Sequence, residues 1–273
     1  MNKSSLHYDT ETVFSKCYPD FDQQVFFNAT LFNYICVVIT CIGIYRIVRQ
    51  VANNELYAFI FGSIYLFGFG TLFFSLKPLT EACGILLLAY AFYHYVKQSN
   101  YIYIFLLLSI FQREYTFFAF GIISLIDYYF LRKRYYLFVF VSSVFFFFIY
   151  FVLRKTFFFT PHYEFQTSLK TFLNSIIYPD MDWISFLKQS LLISNILIIY
   201  FLALVYKKYK RMQINWRHLL ITIVLLIHVL LMCIMAKFGN NAGRYFYYTA
   251  PIIIFYLSIE MKPLLRNYLR FDE

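Results

Sequence analysis

The sequence predicts an all-α, polytopic integral membrane bundle, and three observations support that prediction. Hydrophobic residues make up 61% of the 273 positions and charged residues only 14%, whereas soluble domains carry roughly 25% charged residues. Most apolar residues fall in runs of roughly 17–25 residues, the length that a helix needs to cross the hydrocarbon core. The lysines and arginines lie in short clusters between these runs, as they do in the loops of membrane proteins.

The apolar runs follow one another along most of the chain. They cover about 27–47, 56–76, 80–96, 101–131, 136–153, 190–206, 218–236 and 245–260. They lack the strict alternation of membrane β-barrel strands, so helices are expected. The net charge of +10 does not indicate nucleic-acid binding, because the basic residues are divided among the loops.

The distribution of positive charge predicts the orientation. With the N-terminus outside, the inner loops collect more lysines and arginines than the outer segments do, as the positive-inside rule requires. This holds only if 101–131 begins and ends on the inner side. We therefore expect a two-helix hairpin there, with Arg113 and Glu114 near its tip. The predicted fold has about seven full spans plus this hairpin, with the N-terminus out and the C-terminus in.

Two segments outside the spans are expected on the outer face. Residues 1–25 form an acidic N-terminal segment without the apolar core of a signal peptide. Residues 154–189 form the longest outer loop, and their apolar residues recur at the spacing of a helix lying flat in the interface. A loop packed on the spans explains the same pattern equally well. Residues 26–273 are predicted to form a single transmembrane helical domain.

Arg113 and Glu114 interrupt the run 101–131 within the sequence QREYT. A charge in the hydrocarbon costs about 2.5–3.5 kcal/mol on insertion scales, so it persists where it is paired, hydrated or useful. Adjacent helix positions point about 100° apart, so each of the two side chains can meet a different partner. A structural ion pair at the hairpin tip and a substrate-binding role both remain open.

Glu81 follows Pro78 and Thr80, which favour a helix start at this point. In the first turn of a helix its carboxylate is stabilised by the helix dipole. Capping is one explanation for this residue. At the outer end of a span, the same carboxylate is also well placed to bind a substrate hydroxyl or a cation.

Lys237 and Arg244 flank a short outer loop with two glycines, KFGNNAGRY. Glycine allows the backbone to approach a ligand closely, and the arginine fork matches phosphate oxygens. We therefore expect a phosphate-binding role, with interfacial snorkelling of Arg244 as the alternative.

The remaining polar residues in the runs have simpler interpretations. His228, within LLIHVLL, is expected to be hydrogen-bonded between helices, and Asp127 to lie at the inner interface. No cluster of His, Cys and carboxylate residues has metal-ligand spacing. No metal site and no required cofactor are therefore predicted, although the carboxylates leave room for a divalent cation.

Four segments follow one another along the chain: FFNATLFNY, SLKPLTEACGILLLAYAF, QREYTFFAFGIISLIDYY with its basic end LRKRYY, and NAGRYFYYTAPIII. Their order resembles that of the bacterial polytopic type C glycosyltransferases over roughly residues 26–260. Such enzymes usually begin with a further span and a large acidic outer loop, so this chain looks abridged at its N-terminus.

The resemblance implies a glycosyltransferase that moves a sugar from a polyprenyl-phosphate donor to a cell-envelope acceptor, as in polysaccharide biosynthesis. It would act on the outer face of the bacterial inner membrane. A carboxylate would take the proton of the acceptor, and cations would stabilise the departing phosphate. The expected site comprises the catalytic candidates Glu81, Asp20 and Asp22 and the substrate-binding candidates Arg113, Glu114, Lys237 and Arg244.

The alternative hypothesis is a transporter, a lipid flippase or a non-catalytic subunit with a membrane-protein partner. Transporters commonly contain two matching halves with broken helices. This chain has one interrupted segment and no counterpart to it, which favours the enzyme.

Overall fold

A computed structural model describes residues 23–68, 71, 81–112, 114–157, 195–235 and 243–265, and within these ranges the chain is helical, without strands. The predicted all-α class is confirmed for this part of the chain. Its helices are α1 (Gln23–Ala52), α2 (Glu55–Leu66), α3 (Glu81–Val96), α4 (Ile102–Ser109), α5 (Tyr115–Leu131), α6 (Arg134–Phe157), α7 (Asn195–Tyr209), α8 (Trp216–Met235) and α9 (Gly243–Leu265).

A tight turn separates α1 from α2. Asn53 adopts the left-handed conformation with φ 52°, which asparagine tolerates better than most residues. Asn54 then caps α2, because its side chain accepts a hydrogen bond of 2.7 Å from the backbone N–H of Tyr57. With only these two residues between them, α1 and α2 pack side by side.

Two helix boundaries differ from the sequence prediction. α2 ends at Leu66, well before the expected 76, and Phe67 and Gly68 follow it in non-helical conformations. α6 continues to Phe157, so residues 154–157 belong to a helix and not to the predicted outer loop 154–189. Arg154 favours this extension because it bonds to Tyr150 one turn earlier. The rest of that loop lies outside the described residues.

The chain reverses direction within 101–131. The ring of Phe105 in α4 lies 5.3 Å from that of His94 near the end of α3. The Tyr95 hydroxyl, also near the end of α3, donates a 2.6 Å hydrogen bond to Asp127 in α5. Because α4 starts and α5 ends beside the same end of α3, the turn at 110–114 is the tip of a two-helix hairpin, as the charge distribution predicted.

The described helices share one buried apolar cluster, whereas many large apolar side chains are exposed on their outer surfaces. Among the described residues, two helical segments are long and apolar enough to cross a membrane, namely Phe27–Ala52 and Arg134–Arg154. Four further apolar helical segments are shorter, namely Glu55–Leu66, Ala82–Val96, Tyr115–Leu131 and Trp216–Leu231.

Candidate functional site

The described helices define two ends of the bundle. The tip end contains the hairpin tip at 110–114, the start of α3, the end of α6 and the start of α9. The opposite, base end contains the end of α3, the end of α5, the start of α6, the end of α7 and the start of α8. Contacts across the bundle support this grouping: the Tyr65 and Tyr247 hydroxyls meet at 2.8 Å near the tip end, and Lys262 donates a 3.1 Å bond to the Val51 carbonyl at the base end.

The structure describes the predicted site residues to different extents. Glu81 is the first residue of α3, and Arg244 is the second residue of α9. Both therefore lie at helix starts, as predicted, and these starts belong to the tip end. Their side chains lie outside the described part. Asp20, Asp22, Arg113 and Lys237 also lie outside the described residues. Glu114 is the one predicted site residue whose side chain is described.

Tyr248 connects three of the predicted segments. It lies one turn after Arg244, and a Cβ atom on Gly84 in α3 would be 3.3 Å from its Cε1. Its ring centroid is 5.2 Å from that of Tyr115, the residue after Glu114. The starts of α3 and α9 and the hairpin tip therefore meet around one aromatic side chain. Gly84 allows this close approach because it has no side chain.

Glu114, at the hairpin tip, is paired with the neighbouring helix α6. Its Oε2 accepts a 2.5 Å hydrogen bond from the Tyr150 hydroxyl and lies 3.3 Å from Arg154 Nη1. Arg154 Nη1 also donates a 2.6 Å bond to the Tyr150 oxygen. The Glu114 side chain is 17% exposed and that of Arg154 is 33% exposed. Glu114, Tyr150 and Arg154 thus form a polar triad, hereafter the tip triad, that joins the hairpin tip to the end of α6.

The tip triad combines an ion pair with a guanidinium that can bind an anion. The Arg154 guanidinium and the Glu114 carboxylate lie 3.3 Å apart, within the range of an ion pair. Arginine has five N–H donors, and among the described residues the hydrogen bonds of Arg154 involve Nη1. A partly exposed guanidinium held in place by two neighbours suits the binding of an anion such as phosphate.

Within the described part of the chain, His228 Nε2 lacks the hydrogen bond between helices that its sequence position suggested. Its ring lies 4.8 Å from that of Phe118 and 5.7 Å from that of Tyr115. Its Nε2 atom is buried without a hydrogen-bond partner among the described residues. The prediction was wrong because the neighbouring positions on α5 are aromatic, so the imidazole contacts rings and not a polar group.

A second cluster of charged residues lies at the base end, and the sequence analysis missed it. Lys207 from the end of α7 forms an ion pair with Oε2 of Glu260 in α9, and both side chains are buried, at 7% and 1% exposed. His218 from the start of α8 lies with Nδ1 3.2 Å from Oε1 of the same carboxylate. Glu260 therefore links α7 and α8 to α9.

Asp127 belongs to the same buried region. It was expected at the interface, but it is only 4% exposed, because α5 turns it toward α3 and α8. Tyr95 bonds to its Oδ2, and the Nε atom of Arg217 lies 3.5 Å from its Oδ1. The base-end network therefore comprises Asp127, Lys207, Arg217, His218 and Glu260.

The sequence contained a partial signal for this network. Glu260 is a single carboxylate within the apolar stretch IFYLSIEM, and such a residue requires a partner. Lys207 and Arg217 are among the lysines and arginines that the charge distribution placed in the inner loops. Which cation faces the carboxylate depends on the packing of three helices.

Among the described residues, no group of three or more His, Cys, Asp or Glu side chains is arranged to hold a metal ion. Comparison of the chain with protein-family models, curated proteins and solved structures finds no match.

Proposed function

We propose that the chain is a multi-pass membrane protein whose helices include the shorter apolar ones. The exposed surface of α6 supports this proposal. One face presents apolar side chains at helical spacing to the surroundings, at Phe138, Val141, Phe145, Phe148 and Val152. A surface of this kind is unfavourable in water and favourable against lipid.

Aromatic and basic residues at the base end support the proposed orientation. Tyr209 and Trp216 are 78% and 71% exposed, and amphipathic rings of this type concentrate at membrane–water interfaces. Arg132 and Lys210 lie over tyrosine rings at the same end. Lysines and arginines concentrate on the cytoplasmic side, so the base end would face the cytoplasm and the tip end the outside of a bacterial inner membrane.

We further propose that the tip end carries out sugar transfer from a polyprenyl-phosphate donor to a cell-envelope acceptor. The observation that supports this proposal is the meeting of the α3 start, the hairpin tip and the α9 start around Tyr248. These are the segments that carry Glu81, Glu114 and Arg244. A carboxylate, a paired acid and a phosphate-binding cation are the groups that such a reaction uses.

The reaction assigns a role to each group. A carboxylate, Glu81 or an N-terminal Asp20 or Asp22, takes the proton of the acceptor hydroxyl. The acceptor oxygen forms a bond to the anomeric carbon, and the bond from that carbon to the phosphate oxygen breaks. The electron pair leaves with the polyprenyl phosphate, whose charge Lys237 and Arg244 stabilise.

Transfer of labelled hexose from a polyprenyl-phosphate hexose to endogenous acceptors in isolated membranes tests this proposal. We expect Glu81→Gln and Arg244→Ala to reduce transfer strongly, and Lys133→Ala at the base end to leave it unchanged at equal expression. Unchanged transfer in both tip-end variants would exclude the proposed site.

The base-end network favours transport as the second candidate function, because ionisable residues within membrane proteins often mark ion pathways. The two functions predict different measurements. A transporter would move its solute across proteoliposomes without a sugar donor, and Glu260→Gln would abolish that movement.

A further inference from the structure

We propose that the groove between α5 and α6 binds the isoprenoid chain of a polyprenyl phosphate, whose phosphate reaches Arg154 at the tip end. This inference rests on the proposed function, because it gives the lipid donor a defined position beside the tip triad. It adds a binding site to the polar groups discussed above.

The groove has the size and lining that a hydrocarbon chain requires. Its volume is about 210 Å³, larger than the cavity of about 150 Å³ that admits benzene in an engineered protein core. Nearly all of its surface is apolar, since the hydroxyl of Ser143, its one hydroxyl group, bonds to the Val139 carbonyl. It is lined by Phe117, Phe118, Gly121, Ile122, Leu125, Phe140, Ser143, Val144 and Phe147.

Gly121 creates the free space at the centre of the groove. A Cβ atom built on this residue would meet no atom within 4 Å, in contrast to Gly84, whose Cβ would lie against Tyr248. Close helix packing therefore does not explain a glycine at this position. Leu125 and Val144 beside it are exposed, so the groove opens sideways, and a chain can enter it from the bilayer.

The groove and the tip triad lie on the same faces of the two helices. On α5, Glu114, Phe118, Gly121 and Leu125 follow one another at spacings of four, three and four residues, which places them on one face. From Phe147 in the groove to Arg154 is two further turns of α6, about 10.5 Å along the axis.

The guanidinium of Arg154 at the end of α6 favours a lipid with an anionic head as the occupant of the groove. The same stripe that carries Ser143 and Phe147 continues through Tyr150 to Arg154. A chain lying in the groove would therefore lead to a partly exposed guanidinium, which binds phosphate well.

Four phenylalanines line the groove: Phe117, Phe118, Phe140 and Phe147. Such rings offer a large apolar contact area to a hydrocarbon chain. The proposed function selects an isoprenoid chain over a saturated acyl chain, because the isoprenoid is the apolar part of the proposed donor.

Photo-crosslinking of the full-length protein in nanodiscs tests this proposal. The probe is a diazirine-bearing farnesyl phosphate, and labelled peptides are mapped by mass spectrometry. We expect labelling at 117–125 and 140–147, and we expect unlabelled undecaprenyl phosphate to compete with it. Gly121→Trp should reduce labelling about tenfold, as the loss of a few apolar contacts would. Gly121→Leu serves the same purpose if the tryptophan variant does not fold.

Two controls define the specificity. Val141→Trp adds the same ring to an exposed position of α6 outside the groove and should leave labelling unchanged. Arg154→Gln should weaken labelling by the phosphate probe more than labelling by a farnesol probe without phosphate. Equal labelling of the groove by a diazirine phosphatidylglycerol, without competition from undecaprenyl phosphate, would overturn the proposal.

The outcomes for the groove and for the enzyme are separable. If undecaprenyl phosphate competes with labelling of the groove but no sugar transfer is found, the enzymatic function is rejected and the lipid site is retained. Sugar transfer with an unchanged KM for the lipid donor in Gly121→Trp would retain the enzyme and reject the groove.

Discussion

Lys207 at the end of α7 and Glu260 in α9 form an ion pair inside the bundle, although 53 positions separate them in the sequence. His218 contributes a second polar contact to the same carboxylate. Three helices therefore depend on one acidic side chain. This pair lies at the base end, away from the proposed site. Variants of the pair therefore test the stability of the fold independently of the proposed sugar transfer.

Removal of one partner should be strongly destabilising. We expect Lys207→Met to lower the free energy of unfolding by about 3–5 kcal/mol, because it leaves a buried carboxylate without its ammonium partner. The double variant Lys207→Met/Glu260→Leu should recover most of this loss. Denaturant titration in mixed micelles measures both effects.

The matched control for this prediction is the exposed pair of Arg49 and Glu55, whose side chains are 54% and 72% exposed. Glu55→Gln should cost no more than about 1 kcal/mol, because exposed ion pairs contribute little. Similar losses for the exposed and buried pairs would contradict the burial of Glu260.

A side chain at position 84 should disturb the packing of the tip end, whereas a single methyl group at position 121 should not disturb the fold. We expect Gly84→Leu to lower the thermal stability, and with it the proposed sugar transfer, because it must displace Tyr248. Gly121→Ala should stabilise the protein by about 0.5–1 kcal/mol, since alanine favours the helix and its Cβ meets nothing. Thermal unfolding in detergent checks both, and an unaffected Gly84→Leu variant would rule out the close contact of α3 with α9.

The Tyr150 hydroxyl should stabilise the hairpin tip. Tyr150→Phe removes the group that bridges Arg154 and Glu114 and retains the ring beside Phe117. We expect a loss of about 1–2 kcal/mol, typical of a hydrogen bond to a charged group. Tyr129→Phe, at an exposed position, should have no effect on the free energy of unfolding. A loss of equal size in both variants would argue against the bridge.

The proposed orientation predicts the accessibility of cysteines. In intact cells, Cys17 in the N-terminal segment should react with a membrane-impermeant maleimide. In a Cys17→Ser background, Lys133→Cys in the loop between α5 and α6 should react only after the membrane is permeabilised, since basic loops face the cytoplasm. Mass-shift labelling on gels measures both reactions, and the reverse pattern would invert the proposed topology.

Much of the helical organisation could be predicted because it depends on local properties of the chain. Apolar runs predicted most of the helices, and Glu81 begins α3 as the preceding proline and threonine suggested. The hairpin followed from the need to place Arg132, Lys133 and Arg134 on one side. Helix ends were less predictable where a contact distant in sequence accompanies the extension, as that of Arg154 with Glu114 does for α6.

The sequence by itself determined that this chain forms apolar helices separated by basic loops, since helix formation depends on residue type and spacing. Only the tertiary structure decided which side chains meet. It brought Gly84 and Tyr115 to Tyr248, paired Glu114 with Arg154, and placed Lys207 against Glu260. The reason is physical: partners on different helices depend on how the helices cross and rotate about their axes, and the packing of the whole bundle determines both.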